Sequence, residues 1–167
     1  MKYDIKKVKM IISDVDGVWT DGAIYKGKDG IELKRFCVMD GAGVVLLREA
    51  KMELALISGR YSDATAERAK ELKIENVYNG TLNKIPPYLT LKEKYNLKDE
   101  EIAYIGDDMI DIPIMAIANF PSIANLIDVK PIQTPIKVIA FGKIILAFLS
   151  ETILKFFFGC SIKLFFS

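Results

Sequence analysis

Short apolar runs of strand length alternate with stretches of helical spacing along most of this chain. That alternation narrows the fold more than any other feature. Val8 to Ser13, Glu53 to Ile57, Asn76 to Tyr78 and Ile102 to Ile105 read as strands. Gly43 to Lys51 spaces Val44, Val45, Leu46 and Leu47 as on a helix. Ser62 to Leu72 is a second helix, capped by Ser62 or Asp63, and Lys84 to Tyr95 a third, with Pro86 and Pro87 tolerable in its first turn. A further helix is predicted from about Asp111, and a last strand over Phe120 to Ala124. Gly22 to Phe36 stands apart as a hairpin, turning at Gly27 to Gly30. Strands alternating with helices predict an α/β fold around a parallel sheet. No repeat or linker interrupts the pattern. The 167 residues read as a single domain, with a core over about 7–125 and an apolar C-terminal segment over about 130–167.

In open parallel sheets, ligands bind beyond the carboxyl ends of the strands. After the first strand come Asp14, Val15, Asp16 and Gly17; after the second, Ser58, Gly59 and Arg60; after the fourth, Gly106, Asp107 and Asp108, with Asp111 one turn on. Lys84 opens the helix after the third. Each of these has a bland reading alone. An Asp-x-Asp is usually a turn, paired aspartates suit a helix N-terminus, and a lone Lys or Arg is usually a surface charge. Their joint placement at one sheet edge makes a site. Carboxylates meeting without His or Cys suit a hard cation, and Mg²⁺ fits best. Asp14 can attack phosphorus, Asp16 can protonate the leaving alkoxide and then activate water, and Lys84 and Ser58 can hold the phosphoryl group. Gly17 and Gly59 let backbone amides approach it.

Composition excludes the rivals. The chain has no histidine, which removes Ser-His-Asp and Cys-His catalysis and every His-based metal site. Cys37 and Cys160 lie too far apart in sequence to form a metal-binding pair and read as reduced thiols of a cytoplasmic protein. A net charge of +1 gives no electrostatic reason for nucleic-acid or membrane partners. Met1 to Lys9 is lysine-rich, but the apolar stretch after it is too short for a signal peptide.

The segments Asp14 to Asp21, Ile57 to Arg60, Lys84 and Ile105 to Asp111 resemble the haloacid dehalogenase superfamily. Asp21-Gly22, Asp40-Gly41, Ile57-Ser-Gly-Arg60 and Arg68 to Leu72 are similar to phosphatases of 3-deoxy-D-manno-octulosonate 8-phosphate (KDO 8-phosphate), an activity of lipopolysaccharide precursor synthesis. The resemblance covers about Lys7 to Asn125. It implies a Rossmann-like three-layer sandwich. It also implies Asp14 as nucleophile and metal ligand, and Asp16 as acid/base lending its carbonyl to the metal. Asp107 would be the further ligand, supported by Asp108 and Asp111. Ser58, Gly59 and Lys84 would be phosphate-binding, and Arg60 would select a small phosphorylated sugar acid. The gaps from Asp16 to Ser58 and from Ser58 to Lys84 leave no room for a large cap, only the small hairpin insertion. The family's solution is a homo-oligomer, a tetramer, whose neighbours cover the site.

The C-terminal segment departs from that pattern. The family's glycine-rich segment and its Arg- and Glu-bearing helix are absent, and seven of the nine phenylalanines lie at Phe141 or later. A membrane span over Ile144 to Ser167 is disfavoured by Glu151, Lys155 and Lys163, each costing about 2.5–3.5 kcal/mol near a helix centre. Packing on the domain or in an oligomer interface is the better reading. Trp19 is also larger than the aliphatic residue expected there. Two alternatives stay open: a phosphatase of a nonulosonate 9-phosphate or other small sugar phosphate, and a catalytically silent binding module of the same fold.

Overall fold

The structure, a computed structural model, describes residues 7–118 and the strand Phe120–Ile123. The apolar segment over about 130–167, including Cys160, lies outside the described residues, as do Met1 to Lys6.

Five strands form one parallel sheet: β1 (Met10–Ser13), β4 (Glu53–Ser58), β5 (Asn76–Asn79), β6 (Ile102–Gly106) and β7 (Phe120–Ile123), in the order β5-β4-β1-β6-β7. Helices α1 (Val38–Glu49), α2 (Asp63–Glu71), α3 (Ile85–Lys94) and α4 (Ile112–Met115) connect them. Strand β1 is central, with Ser13 in register with Leu56 on one side and Ile105 on the other. Its side chains alternate between two apolar layers. Ile11 joins Val44, Leu47, Leu56, Ala69 and Ile105 on the face of α1 and α2. Met10 and Ile12 join Ile57, Tyr88, Leu91, Tyr104 and Ile114 on the face of α3 and α4. Both faces are covered, so the strand reads as an unbroken apolar run. Met10, Ile11 and Ile12 are completely buried, each worth about 1.5–3 kcal/mol relative to exposure.

The expected strands all form. Helix α1 begins at Val38, five residues before the Gly43 start predicted from the sequence. Gly41 and Gly43 lower helix propensity and hide the first turn from a pattern reading. Gly41 serves close packing: a Cβ there would stand 3.1 Å from Leu72 Cδ2 and 3.2 Å from an Arg68 nitrogen. Ser62 does occupy the N-cap position of α2, but its side chain makes no capping bond. Asn79 instead grips its backbone, donating to Ser62 O at 2.8 Å and accepting from Ser62 N at 3.1 Å. The helix expected from Asp111 is a 3-10 turn, Met109–Asp111, running into the four residues of α4.

Between β1 and α1 sits the hairpin of β2 (Tyr25–Lys26) and β3 (Glu32–Leu33), with a Thr20–Phe36 bridge at its base. It is the whole insertion at this point; no cap domain is present among the described residues. No helix among the described residues is long and apolar enough to cross a membrane.

Candidate active site

Parallel pairing around β1 brings three chain turns to one edge of the sheet. Asp14 leaves β1 with its amide donating to Ile105 O at 2.8 Å, which ties it to β6. Ser58 closes β4, and Asp107 follows Gly106 at the end of β6. Ligand oxygens of Asp14, Asp107 and Asp111 lie within 4.8 Å of one another. Lys84, at the N-cap position of α3, reaches into this group from beneath: its Nζ stands 2.9 Å from Asp14 Oδ1 and 2.6 Å from Asp111 Oδ1.

The floor of the site is dry and crowded. Asp14, Ser58, Lys84 and Asp111 are all buried. Burial pushes the Asp14 carboxyl up to about 6; the Lys84 ammonium opposes that rise and the Asp111 carboxylate adds to it. Asp111 is saturated with donors. Besides Lys84 it accepts from the Tyr104 hydroxyl at 2.5 Å and from the amides of Asp107 and Asp108 at 3.0 Å each. Burial, helped by Asp111, drives the Tyr104 phenol well above its usual range, so that it stays a donor. Asp111 therefore holds the β6 loop in shape and orients Lys84. The sequence suggests only a supporting part for it; the structure puts it at the centre of the network. Asp108 is exposed and caps the Met109–Asp111 turn by accepting from the Met109 amide.

Two close approaches shape the floor. Gly17 has φ +84°, and a Cβ there would fall 1.9 Å from Asp107 Oδ2. A Cβ on Gly106 would meet Asp111 Oδ2 at 2.4 Å. Glycine is required at both positions for the carboxylates to sit where they do.

The upper wall is built differently. The Asp16 carboxylate is one-third exposed and pairs with Lys34 Nζ at 2.7 Å, and that ammonium also donates to Thr65 Oγ1 at 3.1 Å. Arg60 grips the Glu32 carboxylate with both terminal nitrogens. Ser58 Oγ donates to Arg60 O at 2.9 Å. A Cβ on Gly59 would press to 2.4 Å against Ile110 Cδ1, so this loop also runs close to the β6 turn. Trp19, larger than expected, is buried and donates its indole N–H to Ser13 Oγ at 3.0 Å, packing beside the loop after β1. Sequence reasoning did not find Glu32, Lys34 or Tyr104. An available signal was the alternation in Ile31 to Lys34: the charged pair faces the core and the apolar pair, Ile31 and Leu33, faces outward.

The donor set at this edge is all oxygen, from closely spaced carboxylates, and fits a hard divalent cation. Asp14, Asp107 and Asp111 bring these oxygens together, and Asp111 already accepts from four donors.

No family model matches the chain. It is 42% identical over 109 residues to the curated 3-deoxy-D-manno-octulosonate 8-phosphate phosphatase KdsC of Yersinia pestis; the match takes in 65% of this chain and 58% of that protein. The chain thus spans well under two thirds of the length of the curated relatives it matches. A crystal structure of the Y. pestis phosphatase superposes with a TM-score of 0.79 at 33% identity, covering 87% of this chain and 83% of the other. The Moraxella catarrhalis phosphatase, solved with a magnesium ion, a phosphate ion and a KDO molecule, superposes with a TM-score of 0.75 at 26% identity over 90% of both chains. With this identity carried across most of a solved relative and the same three-layer fold, the chain belongs to the 3-deoxy-D-manno-octulosonate 8-phosphate phosphatase family of the haloacid dehalogenase superfamily.

Proposed function

We propose that this chain is a magnesium-dependent phosphomonoesterase that hydrolyses KDO 8-phosphate to KDO and phosphate through an aspartyl-phosphate on Asp14. The observation that carries the reading is the buried Asp14–Lys84–Asp111 arrangement beside Asp107 at the sheet edge, in a fold shared with the M. catarrhalis relative solved with magnesium, phosphate and KDO.

Asp14 and Asp107, with the Asp16 carbonyl, would hold Mg²⁺, which offsets charge on the phosphoryl oxygens. An Asp14 carboxylate oxygen bonds to phosphorus while the bond from phosphorus to the sugar oxygen breaks. Asp16, entering as the acid, gives its proton to that departing oxygen. Its carboxylate then takes a proton from water, the water oxygen bonds to phosphorus, and the bond to Asp14 breaks to release phosphate. Lys84 counters the charge of the transferring group from the dry side of the site. Ser58 and the Gly59 amide bind its oxygens, and Asp108 and Asp111 support the β6 turn. Arg60, on the rim, faces the carboxylate-bearing end of the substrate.

We also place a homo-oligomer, a tetramer, in this reading, in a cytoplasmic setting where Cys37 stays a thiol. The hairpin exposes Ile24, Tyr25, Ile31 and Leu33, an apolar surface that a neighbouring copy would bury.

Phosphate release by the full chain from KDO 8-phosphate, a nonulosonate 9-phosphate and simple hexose phosphates, each with Mg²⁺ and with excess chelator, tests the function. KDO 8-phosphate should be turned over fastest, and only with the metal. Preference for the 9-phosphate would move the assignment to the sister activity. No release from any substrate would leave a binding module. Sedimentation at micromolar concentration tests the assembly, and a fully active monomer would refute it.

A further inference from the structure

We propose that Lys34 of the hairpin is the positioning residue for the Asp16 carboxyl, holding it toward the leaving-group oxygen. This rests on the assignment of Asp16 as acid and base.

Lys34 is an unusual residue for a hairpin that buries nothing else completely. Its side chain is 0% exposed, while the Asp16 side chain it pairs with is 32% exposed. A lysine gives up its hydration so thoroughly only when its hydrogen bonds are replaced. Here Asp16 Oδ1 at 2.7 Å and Thr65 Oγ1 of α2 at 3.1 Å replace two of them. The ammonium is thus fixed from the side of α2, a rigid element, and offers Asp16 one defined direction.

Asp16 needs such a partner. It sits on the loop after β1, one residue before Gly17 in the left-handed region, and no other ion pair holds its carboxylate among the described residues. Asp14, by contrast, is gripped by Lys84 on the floor. One carboxylate is set by the core and the other by the hairpin. The second pin of the hairpin, Glu32 with Arg60, attaches to the β4 loop and does not touch Asp16. A general acid contributes roughly 10²–10⁴-fold when correctly placed, and a displacement of about 1 Å can cost ~10²-fold. Releasing Asp16 should therefore show as lost acid catalysis rather than lost binding.

The test compares kcat/KM, which reports transfer to Asp14, on KDO 8-phosphate and on p-nitrophenyl phosphate. The alkoxide of the sugar must be protonated as it leaves; p-nitrophenolate leaves without help. Lys34→Met in the full chain with Mg²⁺ is expected to lose roughly 10–100-fold on KDO 8-phosphate and less than about 3-fold on p-nitrophenyl phosphate, with kcat rather than KM carrying the loss. Asp16→Asn should show the same asymmetry, larger. Glu32→Gln, which frees Arg60 and leaves Asp16 held, should raise KM for KDO 8-phosphate and leave its kcat near the parent's. If Lys34→Met fails to melt cooperatively, Thr65→Val keeps the charge but frees the ammonium from α2, and should give the same asymmetry at a few-fold. Equal losses on both substrates, or no loss, would overturn the positioning role while leaving the phosphatase reading intact. A parent protein inactive on both substrates would overturn both.

Discussion

The floor of the site and the hairpin above it are held by opposite means. On the floor, Lys84, Asp111 and Tyr104 form a buried network between two apolar layers, and every polar bond there is short and shielded. The hairpin has two strands of two paired residues, exposes its apolar side chains, and meets the core through Lys34–Asp16 and Arg60–Glu32. Charges placed on the floor act in a low-dielectric setting and cannot adapt. On the hairpin only Lys34 is fully shielded; its partner Asp16 and the Arg60–Glu32 pair keep contact with water. In the proposed reading the floor holds the nucleophile, and the hairpin orients the acid and selects the substrate.

The most severe break of the floor is chemical. Asp14→Asn should abolish turnover while the melting temperature stays near the parent's, because an amide cannot attack phosphorus. Steady-state phosphate release above about one part in a thousand of the parent rate, against the ~10²–10⁴-fold typical of a single lost catalytic group, would remove Asp14 from the nucleophile's place. Next comes the network itself. Asp111→Ala leaves the Lys84 ammonium with Asp14 as its remaining partner and the Tyr104 hydroxyl and two amides without their acceptor, and should cost about 3–5 kcal/mol of stability, as for other broken buried pairs. Denaturant melts check this; a cost under about 1 kcal/mol, the range of an exposed pair, would mean the floor is wetter than its burial shows.

The hairpin should behave differently. Glu32→Gln breaks a half-exposed pair and should change stability by less than about 1 kcal/mol while raising KM several-fold by letting Arg60 wander. Unchanged KM would detach Arg60 from substrate selection.

The smallest effect sharpens the border between the regions. Asp40, in the first turn of α1, is buried, and neither carboxylate oxygen has a hydrogen-bond partner among the described residues. Burial pushes its carboxyl up to about 7, with Arg68 opposing the rise. The unfolded chain releases this proton near pH 4, the folded chain only near 7. The native state therefore holds the extra proton between those values, and stability falls as pH rises through that window. Asp40→Asn removes the titration. Its melting temperature should gain on the parent's from about pH 4 to about 7 and run parallel above; a constant offset across the range would contradict the assignment.

The parallel sheet and its edge were legible because apolar runs stop abruptly at Asp14, Ser58 and Asp107. A residue just past a buried strand has few places to go. Asp111 was harder to weigh. In sequence, an aspartate closing a capping turn looks like any cap, and its buried role depends on Lys84 and Tyr104, which arrive from other elements. Lys34 was invisible for a related reason. A lysine just past a two-residue strand reads as solvated, and only the docking of the hairpin on Asp16 and Thr65 buries it. The α1 start was missed because Gly41, which serves close packing, and Gly43 both look like breakers in sequence.

Gly17 sets the gauge between two halves of the catalytic edge: its missing side chain is the space that the Asp107 carboxylate occupies. No amino acid is smaller, so this position has nowhere to go by point mutation. Every missense change of its codon adds at least one carbon where an oxygen already stands. Whatever else in the chain changes, this one spacing must be kept or both loops rebuilt at once.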